Sequence, residues 1–378
     1  MSDAVASAGA ANTKERSTAP QPNRRRLRLI PVAIGALAMA LGLWTGLARL
    51  GLPLPGGMPS MAEFHGALMI SGFLGTLISL ERAVALGRGW AYAAPLLSSM
   101  GALALFAGMP RLGALAFISA SGILLLASAS IAVRQFALFT VVLAIGAACW
   151  TAGTFEWLMG YSTPAVVGWW FNFLILTIAA ERLELSRIVS PPPSSQVMFA
   201  VAVLFLLLGG ARGELAGAWA PFTAVGLLGC AAWLLHHDIA RRTVRQVGQP
   251  RFSAISILAG HIWLGVAGVL LLMTPPSAAA FSYDAVVHAI AIGFVLSMVF
   301  GHAPIILPAV TGVRVRYSGL AYAPLVLLHI SAALRVGSDV LEWIDLRAVS
   351  GTVTVVALVS YVATLAAASW KRPRYPAA

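Results

Sequence analysis

Five of the seven histidines in this chain, His65, His261, His288, His302 and His329, interrupt long apolar runs. An imidazole in such a run costs free energy unless it is partnered or put to use. His65 is followed by Gly66, Ala67 and Gly72, and His288 by Ala289, Ala291 and Gly293. Small neighbours let helices approach closely and also leave room beside the ring. Two neutral imidazoles facing one another at equal depth can ligate a haem iron axially, and haem is a large apolar plate suited to a helix-bundle interior. His261, His302 and His329 form a second expected group, because three imidazoles suit copper, zinc or iron. Against both readings stands a plainer one, in which each ring hydrogen-bonds a neighbouring helix. His236 and His237 lie beside Asp238, Arg241 and Arg242 and read as an interfacial polar cap. Asp284 sits one turn before His288, placed to accept the second ring N–H. More simply, Ser282 or Asp284 caps a helix start.

The elements that must hold these rings are membrane spans. The 378 residues are 59% hydrophobic and only 10% charged, with a mean hydropathy of +0.87. A soluble domain is roughly a quarter charged, so a water-soluble globule is excluded. Disorder is excluded by the apolar content, and a disulfide scaffold by the two unpaired cysteines, Cys149 and Cys230. Apolar stretches labelled α1 to α12 fall at 30–51, 61–84, 90–109, 112–131, 135–157, 163–185, 196–211, 216–236, 252–274, 281–310, 319–335 and 349–370. That spacing fits twelve helices of about 20 residues each. Proline- and glycine-rich breaks separate them, as at Met109-Pro110-Arg111 and Pro191-Pro192-Pro193. Gly301, Pro304 and Pro308 predict that α10 breaks early and frees carbonyls at membrane depth. The expected organisation is a disordered basic tail over 1–28, a twelve-helix domain over 29–371, and a second tail over 372–378.

Arginine and lysine set an orientation. Twenty of the 25 fall on the side where the chain starts, and only Arg49, Arg111, Arg212, Arg335 and Arg347 on the other. By the positive-inside rule both termini are cytoplasmic. The net charge of +12 is therefore a topology signal, with no basic soluble face for nucleic acid. No cleavable leader is expected, so α1 acts as its own insertion signal.

The even-numbered helices contain a repeat. α2 reads FLGTLISLER from Phe73, α6 reads FLILTIAAER from Phe173, and α10 reads FVLSMVFGHA from Phe294. Eight positions after each Phe stands a polar residue: Glu81, Glu181 and His302. A period of four helices through twelve predicts three four-helix units in a pseudo-threefold arrangement, with α2, α6 and α10 equivalent. In this register His65 precedes its Phe by eight residues and His288 by six, an offset of ~3 Å of helix rise, so both rings lie at similar depth. His302 lies ~21 Å further along α10 and belongs to a separate inner site with His261 and His329. The same three rings would equally line a proton or solute path. Adjacent residues on a helix diverge by about 100°. Glu81-Arg82 and Glu181-Arg182 are therefore expected to snorkel their arginines to headgroups and turn their glutamates inward.

Three four-helix arcs with outer histidines on helices 2 and 10 resemble haem–copper oxidase subunit I, in which the low-spin haem lies between those helices. The run VHAIAIGFVLSMVFGHAP from Val287 to Pro304 is similar to the NnrS family of bacterial membrane proteins. The resemblance implies an inner-membrane haem protein, with a b-type haem and a copper or other transition metal as the cofactors to look for. It also implies a link to nitric oxide tolerance, with nitric oxide or another small molecule as ligand. Only His65 and His288 match the haem-ligand positions. The oxidases carry two haem-ligand histidines one residue apart on helix 10, whereas thirteen residues separate His288 and His302 here. α6 and α7 lack the copper-ligand histidines, so no oxygen- or nitric-oxide-reducing centre is carried over.

A second class remains open. Twelve spans with both termini inside and a broken α10 also suit a secondary transporter of a small solute or metal. A purely structural membrane subunit is disfavoured by the five intramembrane histidines. No GxxxxGK[ST] and no glycine fingerprint between strand and helix is present, which leaves nucleotide cofactors without a motif.

Overall fold

The computed structural model describes residues 22–54, 59–210, 213, 215–275 and 277–370. Helix makes up 85% of the structure, and no strand occurs among the described residues. Among the described residues twelve helices are long and apolar enough to cross a membrane: α1 Arg28–Arg49, α2 Met61–Leu86, α3 Gly89–Phe106, α4 Pro110–Arg134, α5 Leu138–Leu158, α6 Thr163–Ser186, α7 Pro193–Gly210, α8 Gly217–His237, α9 Gln249–Met273, α10 Ser282–Thr311, α11 Gly319–Val340 and α12 Ile344–Ser369. This is the architecture of a multi-pass membrane protein, as the hydropathy predicts. Of the expected tail over 1–28, residues 1–21 lie outside the described residues, as do the whole of the expected tail 372–378 and residue 371. Residues 22–28 depart from expectation: helix begins at Pro22, so the basic run from Arg24 to Arg28 extends α1. Arginine is a good helix former, and an adjoining apolar span supplies the nucleus.

α6, α2 and α10 are the most buried spans, with 72%, 67% and 61% of their apolar windows inside the protein. The three helices that share the Phe register thus form the interior, and the others wrap them. Each interior helix receives a glycine of the preceding helix at the same place. A Cβ added at Gly35 of α1 would lie 3.9 Å from the Phe73 carbonyl oxygen, at Gly146 of α5 3.3 Å from that of Phe173, and at Gly260 of α9 3.3 Å from that of Phe294. Small residues at such positions let the two backbones approach closely.

α2 and α10 share a further feature. Each widens into an eight-residue π-helical stretch, Leu68–Gly75 and Ala289–Leu296. Both run from five residues before the shared Phe to two after it. π turns are rare and are frequently found at functional sites.

α10 does not break at Gly301, Pro304 or Pro308; its last segment is helical from Ser297 through Thr311. The physical reason lies in neighbouring helices. Pro304 cannot donate to the Phe300 carbonyl, and the Tyr361 hydroxyl of α12 donates there instead at 2.6 Å. Ser253 of α9 likewise donates to the Gly301 carbonyl at 2.7 Å. Side chains that satisfy the freed carbonyls let a proline helix continue across a membrane.

A cavity with two open imidazoles

We call the side on which α1 begins the basic side. At the opposite side, α1, α2, α6, α10, α11 and α12 surround a cleft with about 1380 Å³ of empty space, its open side included. Its walls are apolar, with Leu43, Met69, Phe171 and Val295 among them, and its polar groups gather at one end. Both His65 and His288 line it.

The two rings are held alike. His65 Nδ1–H donates to the Gly42 carbonyl of α1 at 2.7 Å, and His288 Nδ1–H donates to its own helix at the Asp284 carbonyl, 2.8 Å. A proton on Nδ1 leaves Nε2 with a lone pair, and Nε2 makes no hydrogen bond in either ring among the described residues. Fixing the far nitrogen against a carbonyl is how ligand imidazoles are oriented. Packing fixes the His65 ring too, since a Cβ on Gly46 would lie 2.7 Å from its Cε1.

Asp284 accepts the His288 ring N–H as expected, but through its backbone carbonyl and not its carboxylate, and it does not cap the helix. Its backbone carbonyl serves His288, and its carboxylate pairs with Arg335 Nη2 at 3.2 Å and with Arg347. Phe281 precedes α10, with no side-chain cap there. Arg335 also donates through Nε to Asp339 at 3.0 Å, and Arg347 contacts the same carboxylate. Arg347 further stacks on Phe281 at 3.5 Å from the ring centroid. Two arginines and two aspartates thus close one end of the cavity, with Asp339 fully buried. Arg49 adds a third cation to the lining. Sequence reasoning missed these residues as a site. The signal was present, because Arg49, Arg335 and Arg347 are three of the five basic residues on the side the charge rule disfavours.

At the basic side the structure rearranges the other expectations. The three histidines expected to share a metal do not form one ligand set; among the described residues no group of three or more His, Cys, Asp or Glu could hold a metal ion. His329 is closed off, because Trp263 Nε1–H donates to its Nδ1 at 3.1 Å and Ser297 Oγ lies 3.4 Å from Nε2. His261, fully buried, donates Nε2–H to Asp238 Oδ2 at 3.0 Å. His302 donates Nδ1–H to the Met298 carbonyl at 2.7 Å and lies within electrostatic reach of Arg182, Asp238 and His261.

The glutamate–arginine pairs are also used differently from expectation. Arg82 pairs across helices with Glu181 at 3.1 Å, and Arg182, instead of reaching for headgroups, is buried 4.0 Å from Asp238. Burial pushes the Asp238 carboxyl up, but the His261 hydrogen bond, the Arg182 charge and the Ala240 N–H outweigh it and hold the group below the usual carboxylate range. Of the expected polar cap, His236 is exposed, and His237 bonds Ser195 Oγ at 2.7 Å.

A twelve-helix membrane protein with an interior cavity carrying two open imidazoles is the class these features define. The chain belongs to the family described as Domain of unknown function (DUF8744), whose model matches residues 28–370. That match spans nearly all the residues expected for the membrane domain. No curated protein matches the chain.

Proposed function

We propose that this protein is a haem-binding membrane protein of NnrS type, with haem b seated in the cavity between α2 and α10. The single observation that carries the reading is that two tautomer-fixed imidazoles present free Nε2 lone pairs to one cavity. His65 Nε2 and His288 Nε2 would hold its iron. Arg335, Arg347 and Arg49 stand where they could meet the propionates, and the apolar walls would hold the macrocycle. Bound there, such a group would supply one-electron chemistry, and with His65 and His288 both holding it, electron transfer fits better than ligand capture. The chain's own part is to keep both rings neutral at Nε2, exclude water and compensate the carboxylate charge.

The register shared by α2, α6 and α10, with its glycine contacts, supports an arrangement of three four-helix units like that of haem–copper oxidase subunit I. The Lys and Arg distribution supports placement in a bacterial inner membrane with both termini cytoplasmic. A role in nitric oxide tolerance rests on the NnrS resemblance.

An absorption spectrum of the purified protein tests the haem reading. A Soret band with sharp α and β bands on reduction is the expected result, and His65→Ala or His288→Ala should each abolish the low-spin signature. A monodisperse, fully folded preparation that stays colourless after haem is supplied would overturn it and favour the transporter reading.

A further inference from the structure

The basic side holds unmet hydrogen-bonding capacity. Seven buried side-chain N or O atoms lack a partner among the described residues. Three of them, Arg182 Nε, His261 Nδ1 and His302 Nε2, belong to side chains grouped about Asp238, and a fourth, Arg82 Nε, to the arginine paired with Glu181. Buried polar atoms are left unpaired so rarely that a concentration of them marks a bound water or ion.

The atom types identify the ligand. His261 spends its Nε2–H on Asp238, and His302 spends its Nδ1–H on Met298, so both free ring nitrogens are lone pairs. Arg182 Nε–H is a donor. A bare cation would suit the two lone pairs but would face an N–H, and an anion would suit the N–H but face two lone pairs. Water offers two hydrogens and accepts one. The half-buried Glu81, Arg82 and Glu181 stand where α2 and α6 end on the basic side. Glu81 lies within electrostatic reach of Glu181, Arg82 and Arg182, and Glu184 stands near Glu181.

We propose that Arg182, His261 and His302, backed by Asp238, hold water in a protonatable site that opens to the basic side past Glu81 and Glu181. A proton that enters past Glu81 and Glu181 replaces the one this water passes to His261 Nδ1, and the Nε2 proton moves to Asp238 Oδ2, so an O–H and an N–H bond break as an N–H and an O–H bond form and the water stays neutral. Arg182 from α6, Asp238 from the turn after α8, and His261 and His302 from α9 and α10 are the charged and titratable groups facing the water. Glu81, Arg82, Glu181 and Glu184 flank its mouth. The site is separate from the cavity and stands whether or not the cavity binds haem.

Deuterium exchange at the imidazole C2–H, read by mass spectrometry on the purified full-length protein, tests this directly. That exchange needs a protonated ring and hydroxide, and therefore both water and a proton. His261 and His302 should exchange at least about tenfold faster than His329, whose nitrogens are closed by Trp263 and Ser297 in the same molecule. Exchange as slow as that of His329 would overturn the proposal. So would one equivalent of tightly bound copper, zinc or iron, measured on the same sample and lost in His302→Gln. Because the exchange is scored with or without a Soret band, its failure is distinguishable from failure of the haem reading.

Discussion

α2 and α10 carry a histidine, widen into π-helical turns at the same register and present a polar group to the cavity. α6 shares that register and burial but remains α-helical throughout, and contributes only Thr163 and apolar wall residues such as Val167, Phe171 and Leu174. Its polar donors are spent on neighbours instead. Asn172 donates to the Leu206 carbonyl of α7 at 3.0 Å, and Trp170 to Thr154 of α5 at 3.3 Å. Three helices built on one pattern thus divide between two tasks, display of an imidazole and structural fastening. The widened turns go with the first task, in keeping with the frequent occurrence of π turns at functional sites.

Several substitutions would break or sharpen this contrast. The largest effect is expected at the cavity end: Arg335→Met leaves Asp339 buried with one cation fewer and should cost about 3–5 kcal/mol of stability, measured by thermal unfolding in detergent. A loss under about 1 kcal/mol would show that the four charges do not act as a network. Next is the position two residues after each shared Phe, where α2 has Gly75 and α6 has Ile175. A Cβ at Gly75 would lie 2.5 Å from Trp150, so Gly75→Ile should destabilise by roughly 1–3 kcal/mol or more. Ile175→Val in α6 should cost only about 0.5–1.5 kcal/mol. Similar losses at both sites would remove the distinction between the helices.

Gly46→Ala is a finer probe. The new methyl would displace the His65 ring, and haem retention should fall by at least about tenfold with a stability loss near 1 kcal/mol. Unchanged haem content would mean that His65 is not held for ligation. The smallest effect is expected at His329→Phe, which gives up only its contacts with Trp263 and Ser297. Intramembrane hydrogen bonds are worth about 0.6 kcal/mol on average, and haem absorbance should be unaffected.

Much of this organisation is legible in the residues. The spans fall within a few residues of the apolar stretches, and the repeat at Phe73, Phe173 and Phe294 coincides with the three most buried helices. The depth relation of His65 to His288 follows from helix rise, and both line one cavity. The misses have a common cause. Pro304 reads locally as a breaker, yet Tyr361, far along the chain, supplies the hydrogen-bond donor for the carbonyl it orphans. Depth alone could not show that His329 is closed by a tryptophan of another helix, or that Arg182 turns inward to Asp238.

The amino-acid sequence by itself determined that the chain crosses a membrane, how often, and which three helices share a pattern, because hydrophobic length and residue spacing are properties of a single segment. Which histidines stay open, which are sealed, and which arginines close the cavity were decided only by the tertiary structure. Each of those outcomes depends on what the second nitrogen or the guanidinium meets across a helix interface, and the partners there come from distant parts of the chain.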